Sequence, residues 1–304
     1  MIVAITGGSG FIGKHLVNHH IQLGDQVRLL SRRPPSNSNS VQFFLGDLSN
    51  PDVALSSFTN GVDILYHCAG EMNNESLMVE LHVNGTQRLV DAALGNIGRW
   101  VQLSSVGAYG ICRENIITED SKEQSFGIYE QTKTKSDKIV KNSGIPYVIL
   151  RPSNVFGNDM PNQSLRSLLN TLHRGLFFFI GKENKSLVNY IHVADVVEAI
   201  IQCGSNDKAL GEVFNLSQST TVEKMIASFA SGMGTDKKIL RLPEVVARMI
   251  VSIGGLIPGF PLTSSRVDAL TNRCIYSSTK VQKILKFKYP MTLEERFLLF
   301  AKQK

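Results

Sequence analysis

The chain has 304 residues, 42% of them hydrophobic and 19% charged, with a formal net charge of +6; this is the balance of a soluble globular protein long enough to bury a substantial core. The basic excess is spread along the sequence, with no run of Lys and Arg interleaved with aromatic residues, so nucleic-acid binding is not expected. The four cysteines, Cys68, Cys112, Cys203 and Cys274, show no paired spacing, which argues against a disulfide framework and a zinc site and predicts reduced thiols; no metal is expected.

The first apolar strand, Ile2 to Ile5, runs into Thr6-Gly7-Gly8-Ser9-Gly10-Phe11-Ile12-Gly13 and then an amphipathic stretch from Phe11 to Leu23. Strand, tight turn and helix in that order suit a phosphate. Gly7, Gly10 and Gly13 are expected to supply positive φ angles and close approach, and the helix N-terminus offers unpaired N–H groups to a pyrophosphate. Ile2 to Ile5 is only strand-length, so no signal peptide is expected there and a cytoplasmic location is. The second strand, Val27 to Leu30, ends in Ser31-Arg32-Arg33, where an NAD-binding chain usually places an acid for the ribose 2′-hydroxyl. Arg32, with Arg33, suits a 2′-phosphate instead, so NADP(H) is favoured over NAD(H). Pro34 to Ser40 has no apolar residue and reads as a loop.

Further strands are expected at Val41 to Leu45, Ile64 to Tyr66, Val101 to Leu103 and Tyr147 to Leu150, separated by helices over Glu75 to Asn96 and Phe126 to Asn142. That rhythm predicts an α/β fold: a Rossmann-type, doubly wound parallel sheet with helices on both faces and right-handed crossovers. Cys68 reads as a small core residue rather than a nucleophile. Ser105 falls at the C-terminal end of a strand, where such a sheet presents its ligands, and its hydroxyl can bond a substrate carbonyl or carbinol. Ser104 and Tyr109 read as structural. Tyr129 and Lys133, four residues apart, share one helix face. A free phenol titrates at about 10, so proton transfer near neutrality calls for nearby positive charge, here from Lys133 and an oxidised nicotinamide. Lys133 can also hold the ribose hydroxyls.

After Arg151-Pro152-Ser153-Asn154-Val155-Phe156-Gly157 the pattern loosens into Ser164 to Arg174, an apolar patch at Phe177 to Ile180 and a helix from Ala194 to Cys203. Met249 to Ser265 carries no charged side chain, yet Gly254, Gly255, Pro258, Gly259 and Pro261 interrupt it and it is shorter than the ~20 residues of a spanning helix. It reads either as a core helix with a loop over a substrate pocket or as a segment docked on a membrane surface. The first is the expectation, so membrane association is not anticipated.

Taken together, these ordered motifs resemble the extended short-chain dehydrogenase/reductases, the NAD-dependent epimerase/dehydratase family, whose members mostly act on nucleotide-sugars. The resemblance covers nearly the whole chain: Thr6 to Gly13, Gly46-Asp47-Leu48, His67-Cys68-Ala69-Gly70, Val83-Asn84-Gly85-Thr86, Ser104-Ser105 through Tyr109-Gly110, Tyr129 with Lys133, Arg151 to Gly157, and Tyr190 to Val196. It implies that Ser105, Tyr129 and Lys133 form a catalytic triad. By the same resemblance Phe11 and Ile12 join the glycines at the cofactor, Asp47 and Leu48 border the adenine, Ala69 lies along the cofactor, and Asn154 meets a substrate diphosphate. Residues 1–157, completed by about 190–215, would form the dinucleotide-binding domain, with 158–189 and 216–304 on the substrate side. The implied partner is a small molecule, a nucleotide-sugar by family habit, and a homodimer is compatible. His192 is expected to hold backbone structure.

Within that family, 4,6-dehydratases resemble one another in an Asp-Glu pair directly after the triad hydroxyl. Here Val106 and Gly107 stand there and neither moves a proton, which disfavours that reaction. Epimerases return the hydride and retain NAD; reductases consume it and favour NADPH. Arg32 and Arg33 therefore favour a nucleotide-sugar 4-ketoreductase. Three alternatives stay open: a nucleotide-sugar 4-epimerase with tightly bound NAD, a flavonoid- or steroid-type ketone reductase, and a non-catalytic cofactor sensor. Sugar-nucleotide epimerases commonly carry an Arg before the Tyr190-to-Val193 run and a later R-x-G-D pattern. This chain has Leu187, Val188 and Asn189 at the first place and lacks the second, leaving Arg266 and Arg273 as substitutes for a diphosphate clamp.

Overall fold

The computed structural model describes residues 1–34, 40–111, 115–235, 238–254 and 263–303. Most of the Pro34-to-Ser40 loop (35–39), Cys112, and residues 255–262 of the uncharged stretch lie outside the described residues.

Seven parallel strands form the main sheet, in spatial order Val213–Leu216, Tyr147–Pro152, Ile97–Leu103, Val62–His67, Ile2–Thr6, Gln26–Ser31, Gln42–Leu45. Both faces are covered, which is why these strands read as continuous apolar runs rather than alternating ones. Successive residues still point to opposite sides. Val3, Ile5 and Leu29 enter one core with Leu16 and Val17 of helix Phe11–Gln22 and with Val196 and Ile200 of helix Val193–Ser205. Ala4, Leu30 and Leu65 enter the other, with Trp100, with Leu89 and Val90 of helix Gly85–Ala93, and with Val140 of helix Ile128–Lys141. This is the expected doubly wound α/β fold.

The helix expected as one piece over Glu75 to Asn96 is instead Glu75–Val79, a π-helical turn at Glu80–Asn84, and Gly85–Ala93. Such a bulge adds a residue to one turn without breaking the helix and is common at functional sites. Gly85 must then lack a side chain, because a Cβ there would stand 2.8 Å from the Leu48 carbonyl oxygen.

A second core, around Phe156, Leu165, Leu169, Phe229 and Phe297, lies under helices Ser164–His173, Val222–Met233 and Leu293–Lys302. Strand Val213–Leu216 returns to the main sheet at its edge, whereas Leu187–His192 pairs with Asn154–Phe156 and Gln218–Thr221 in a separate three-stranded sheet. The expectation of four reduced thiols is corrected at Cys274, which is disulfide-bonded; Cys68 and Cys203 are free. Separation along the chain conceals which residues the topology brings together, so the thiol-based argument for a reducing compartment loses its premise.

Candidate active site

Strand order reverses between Ile2–Thr6 and Val62–His67, so the C-terminal ends of these two strands open a crevice where a doubly wound sheet binds its ligand. Gly7 stands at its floor with φ +69°, and a Cβ there would meet the Ala69 nitrogen and Cys68 carbon at 2.6 Å. Gly13 is required for a different reason: a Cβ would stand 2.2 Å from the Gly7 oxygen, where the helix is drawn against the turn. Gly10, expected at positive φ, is instead extended at φ −78°, ψ 176°; it is the N-cap of helix Phe11–Gln22 and has no side chain to occupy the first free N–H groups. Helix end and macrodipole then face a diphosphate. Phe11 and Ile12 are half-buried, and the Phe11 ring lies against Gly157, linking the first turn to the Arg151-to-Gly157 motif.

Beside the turn lies a cleft of about 750 Å³ whose lining includes Ser9, Lys14, Asn18, Ser31, Arg32 and Arg33 and no carboxylate. A smaller one, about 390 Å³, is lined by Arg32, Gly46, Asp47, Asn50, Asp52 and Ala54 among others. Arg32 is shared by both. Asp47 accepts from the amide and hydroxyl of Ser49, at 2.9 and 2.7 Å, and so shapes the loop after strand Gln42–Leu45. Leu48 is a core residue beneath that loop. Ala69 lies along the turn, its amide donating to Thr6 Oγ1 at 3.3 Å. Glu71, which sequence reasoning passed over, is the acid in the field of Arg32. Its carboxylate already accepts the amides of Met72, Asn73 and Asn74 at 3.0, 2.8 and 3.1 Å, and these N–H groups hold it below the usual carboxylate range.

Ser105 follows strand Ile97–Leu103, and Tyr129 and Lys133 stand on helix Ile128–Lys141. Lys133 is buried and its ammonium donates to the Leu103 carbonyl at 2.6 Å, two residues before Ser105. Ser105 caps the short 3₁₀ turn Val106–Tyr109, its Oγ accepting the Gly107 amide at 3.1 Å. That turn abuts helix Ile128–Lys141 so closely that a Cβ on Gly107 would stand 2.6 Å from Glu130 Cγ. Burial lowers the Lys133 ammonium from its ordinary value, opposed by Asp137 and Cys68. Burial, with Glu130 and Asp137, pushes the Tyr129 phenol up to about 12. In the protein alone, desolvation dominates at this phenol and the Lys133 ammonium is engaged by a backbone carbonyl.

Below the triad, Arg151 is fully buried and pairs with Asp137 at 3.0 Å and Glu123 at 2.5 Å. Ser104 donates to the same Asp137 oxygen at 2.8 Å, and Tyr109, whose ring lies under the Arg151 guanidinium, donates to Asn215 at 2.8 Å. Ser104 and Tyr109 are structural, as expected. Burial pushes the Cys68 thiol up to about 12, leaving it inert near neutrality. His192 caps helix Val193–Ser205 through its Nδ1, which accepts the Ala194 amide at 3.3 Å.

Of the substrate-side residues, Asn154 is exposed and its amide donates to the Asn189 carbonyl at 3.1 Å. Arg273 is exposed and pairs with Glu244 at 3.6 Å; Arg266 lies exposed on helix Ser264–Thr271. Neither arginine lines the two clefts described above. Among the described residues there is no cluster of three or more potential metal ligands and no helix long and apolar enough to cross a membrane.

Residues 3–217 match the model of the NAD dependent epimerase/dehydratase family. The chain is 24% identical to a sterol-4-alpha-carboxylate 3-dehydrogenase, decarboxylating, of Mus musculus, across 96% of this chain and 87% of that protein. It is also 24% identical to a UDP-glucose 4-epimerase of Vibrio cholerae, across 97% and 93%. A short-chain dehydrogenase/reductase superfamily protein of Agrobacterium tumefaciens, solved with bound NAD, superposes with a TM-score of 0.76 at 21% identity, covering 100% of this chain and 96% of the other. A family match over most of the chain, on the shared fold, makes this protein a member of the NAD dependent epimerase/dehydratase family and an NAD(P)-dependent enzyme of short-chain dehydrogenase/reductase type.

Proposed function

We infer that the protein is an NADPH-dependent ketone reductase whose substrate is a nucleotide-linked sugar with a ketone at C4. The observation that carries the cofactor is the cleft bearing Arg32 and Arg33 with no carboxylate among the described residues of its lining, while the acid in the field of Arg32 is held by three backbone amides. Such a site suits a 2′-phosphate better than a bare 2′-hydroxyl, for which its lining offers no carboxylate. An NADPH-using enzyme of this fold consumes its hydride, which favours reduction over epimerisation.

NADPH bound at the crevice would supply the hydride that adds to the ketone carbon. Ser105 donates a hydrogen bond to the ketone oxygen, and Tyr129 gives its phenolic proton to that oxygen as negative charge develops there. The product is a secondary alcohol. A phenol raised to about 12 is fully protonated near neutrality, the state a proton donor in the reductive direction requires. Lys133, fixed by the Leu103 carbonyl, keeps a positive charge within the site. Residues 1–157, with about 190–215, hold the cofactor in this reading, and 158–189 with 216–304 shape the substrate side.

The sugar-nucleotide assignment is supported by the likeness to a UDP-glucose 4-epimerase and by Asn154, exposed on the strand that follows Tyr147–Pro152. A second reading, a steroid-type ketone as substrate, is favoured by the pairing of Arg273 with Glu244, which draws one arginine away from a diphosphate. Calorimetric titration with NADPH and NADH, followed by NADPH oxidation with UDP-4-keto sugars and with steroid ketones, separates these. Tight NAD retained through purification with no NADPH preference would instead support an epimerase.

A further inference from the structure

Two parts of the site lie on separate elements: the loop after strand Val62–His67, which carries Glu71 near Arg32, and helix Ile128–Lys141, which carries Tyr129 and Lys133. A buried imidazole joins them. His82 is 1% exposed, on the π-helical turn Glu80–Asn84. Its Nε2 accepts the Glu71 amide at 2.8 Å, which places the ring proton of the neutral imidazole on Nδ1. Nδ1 then donates to Thr132 Oγ1 at 2.8 Å. Thr132 directs its own hydroxyl proton to the carbonyls of Ile128 and Tyr129, at 2.8 and 3.0 Å. The imidazole also stands edge-on to the Tyr129 ring, with centroids 5.7 Å apart and planes at 82°. Both nitrogens are engaged, so the ring works as a spacer of set length rather than as a proton carrier.

We propose that His82 is a positioning residue that holds the Glu71 loop in register with the catalytic helix, setting the separation between the cofactor-side loop and Tyr129. The geometric demand is real, since hydride and proton must reach one carbonyl together and small misplacements of reacting groups are costly. The π-helical turn is what delivers the imidazole to this place. The proposal rests on Tyr129 being the proton donor and on the crevice taking a nicotinamide cofactor.

Two substitutions separate positioning from packing. His82→Phe keeps a ring of similar size against Tyr129 but removes both hydrogen bonds; His82→Gln keeps an acceptor and a donor on a flexible stem. Hydrogen exchange at the Glu71-to-Asn74 amides, cofactor affinity for whichever of NADPH or NADH binds wild type better, and kcat against KM are measured on the full chain. His82→Phe is expected to speed exchange and weaken cofactor binding about 10-fold each, the size of one lost hydrogen bond to a buried group, with kcat falling further than KM rises. His82→Gln should recover most of this. Thr132→Val, which removes the acceptor of Nδ1–H together with the hydroxyl's bonds to the Ile128 and Tyr129 carbonyls but leaves the imidazole in place, should speed exchange in the same segment and serves if His82→Phe does not fold. Wild-type exchange and affinity in His82→Phe, or equal damage from His82→Gln, would overturn the proposal. A wild type that binds neither cofactor would instead sink the functional reading, while the exchange comparison still reports on His82.

Discussion

Beside the main sheet, buried charges are paired at close range: Arg151 lies between Asp137 and Glu123, and Ser104 adds a hydrogen bond to Asp137. At the far end of the substrate side the opposite holds. Helix Glu244–Gly254 buries Ala247 and packs Val251, but leaves Val245, Met249 and Ile253 at 69%, 53% and 71% exposure, with its charges, Glu244 and Arg248, in half-exposed pairs. The first region is over-determined and the second lightly held. A region held by buried charge pairs cannot drift, whereas side chains of a lightly held helix can change at little cost to stability.

The sharpest way to break that contrast is to remove one member of each kind of pair. Arg151→Met leaves the Asp137 carboxylate buried without its main partner and should cost about 3–5 kcal/mol in urea unfolding. Arg248→Met, at the exposed pairs with Glu244 and Asp268, should cost at most about 1 kcal/mol. Equal losses would mean that the two regions are not held differently.

Next in size is the loss of the proton donor. Tyr129→Phe should lower turnover by at least ~10²-fold while cofactor affinity stays within about threefold. Near-normal turnover on a verified substrate would remove Tyr129 from the mechanism. Arg32→Ala, at the rim of both cofactor clefts, should weaken NADPH roughly 10- to 150-fold, the worth of one charge-assisted contact, and leave NADH unchanged. If calorimetry shows both cofactors weakened alike, Arg32 does not read the 2′-phosphate.

Buried imidazoles give a smaller, pH-dependent effect. Burial first, then neighbouring positive charge, lowers His82 and His192 to about 4 in the folded protein, against about 6.5 when unfolded. Below the unfolded value the unfolded chain binds the proton and the folded one does not. Stability is therefore intact above about pH 6.5 and falls as pH drops toward 4, by up to about 1.4 kcal/mol per pH unit for each fully shielded group. Thermal midpoints across that window should decline, and His192→Gln, which keeps an acceptor for the Ala194 amide, should flatten the slope. A level profile would contradict the linkage. Smallest of all, serine at Val245, Met249 or Ile253 should shift stability by no more than about 0.5 kcal/mol each; a larger loss in the isolated protein would show that this helix face is packed after all.

Much of the cofactor half was legible because its signals are local. A strand, a glycine turn and a helix must be contiguous to form a phosphate site, and Tyr129 and Lys133 are a fixed helical step apart, so both could be read from spacing alone. Even there, backbone detail escaped: that Gly10 is an extended cap, and that Gly13 answers to the Gly7 carbonyl, depends on how helix and turn pack. The disulfide at Cys274, the attachment of Arg273 to Glu244, the raised phenol of Tyr129 and the bridge from Glu71 through His82 to Thr132 depend on residues far apart in sequence. The sequence by itself determined the parallel sheet and the glycine turn between its first strand and helix, since each rests on short-range periodicity and steric demand. Only the tertiary structure decided protonation tendencies and side-chain partners, because burial and charge act through space and no spacing along the chain encodes them.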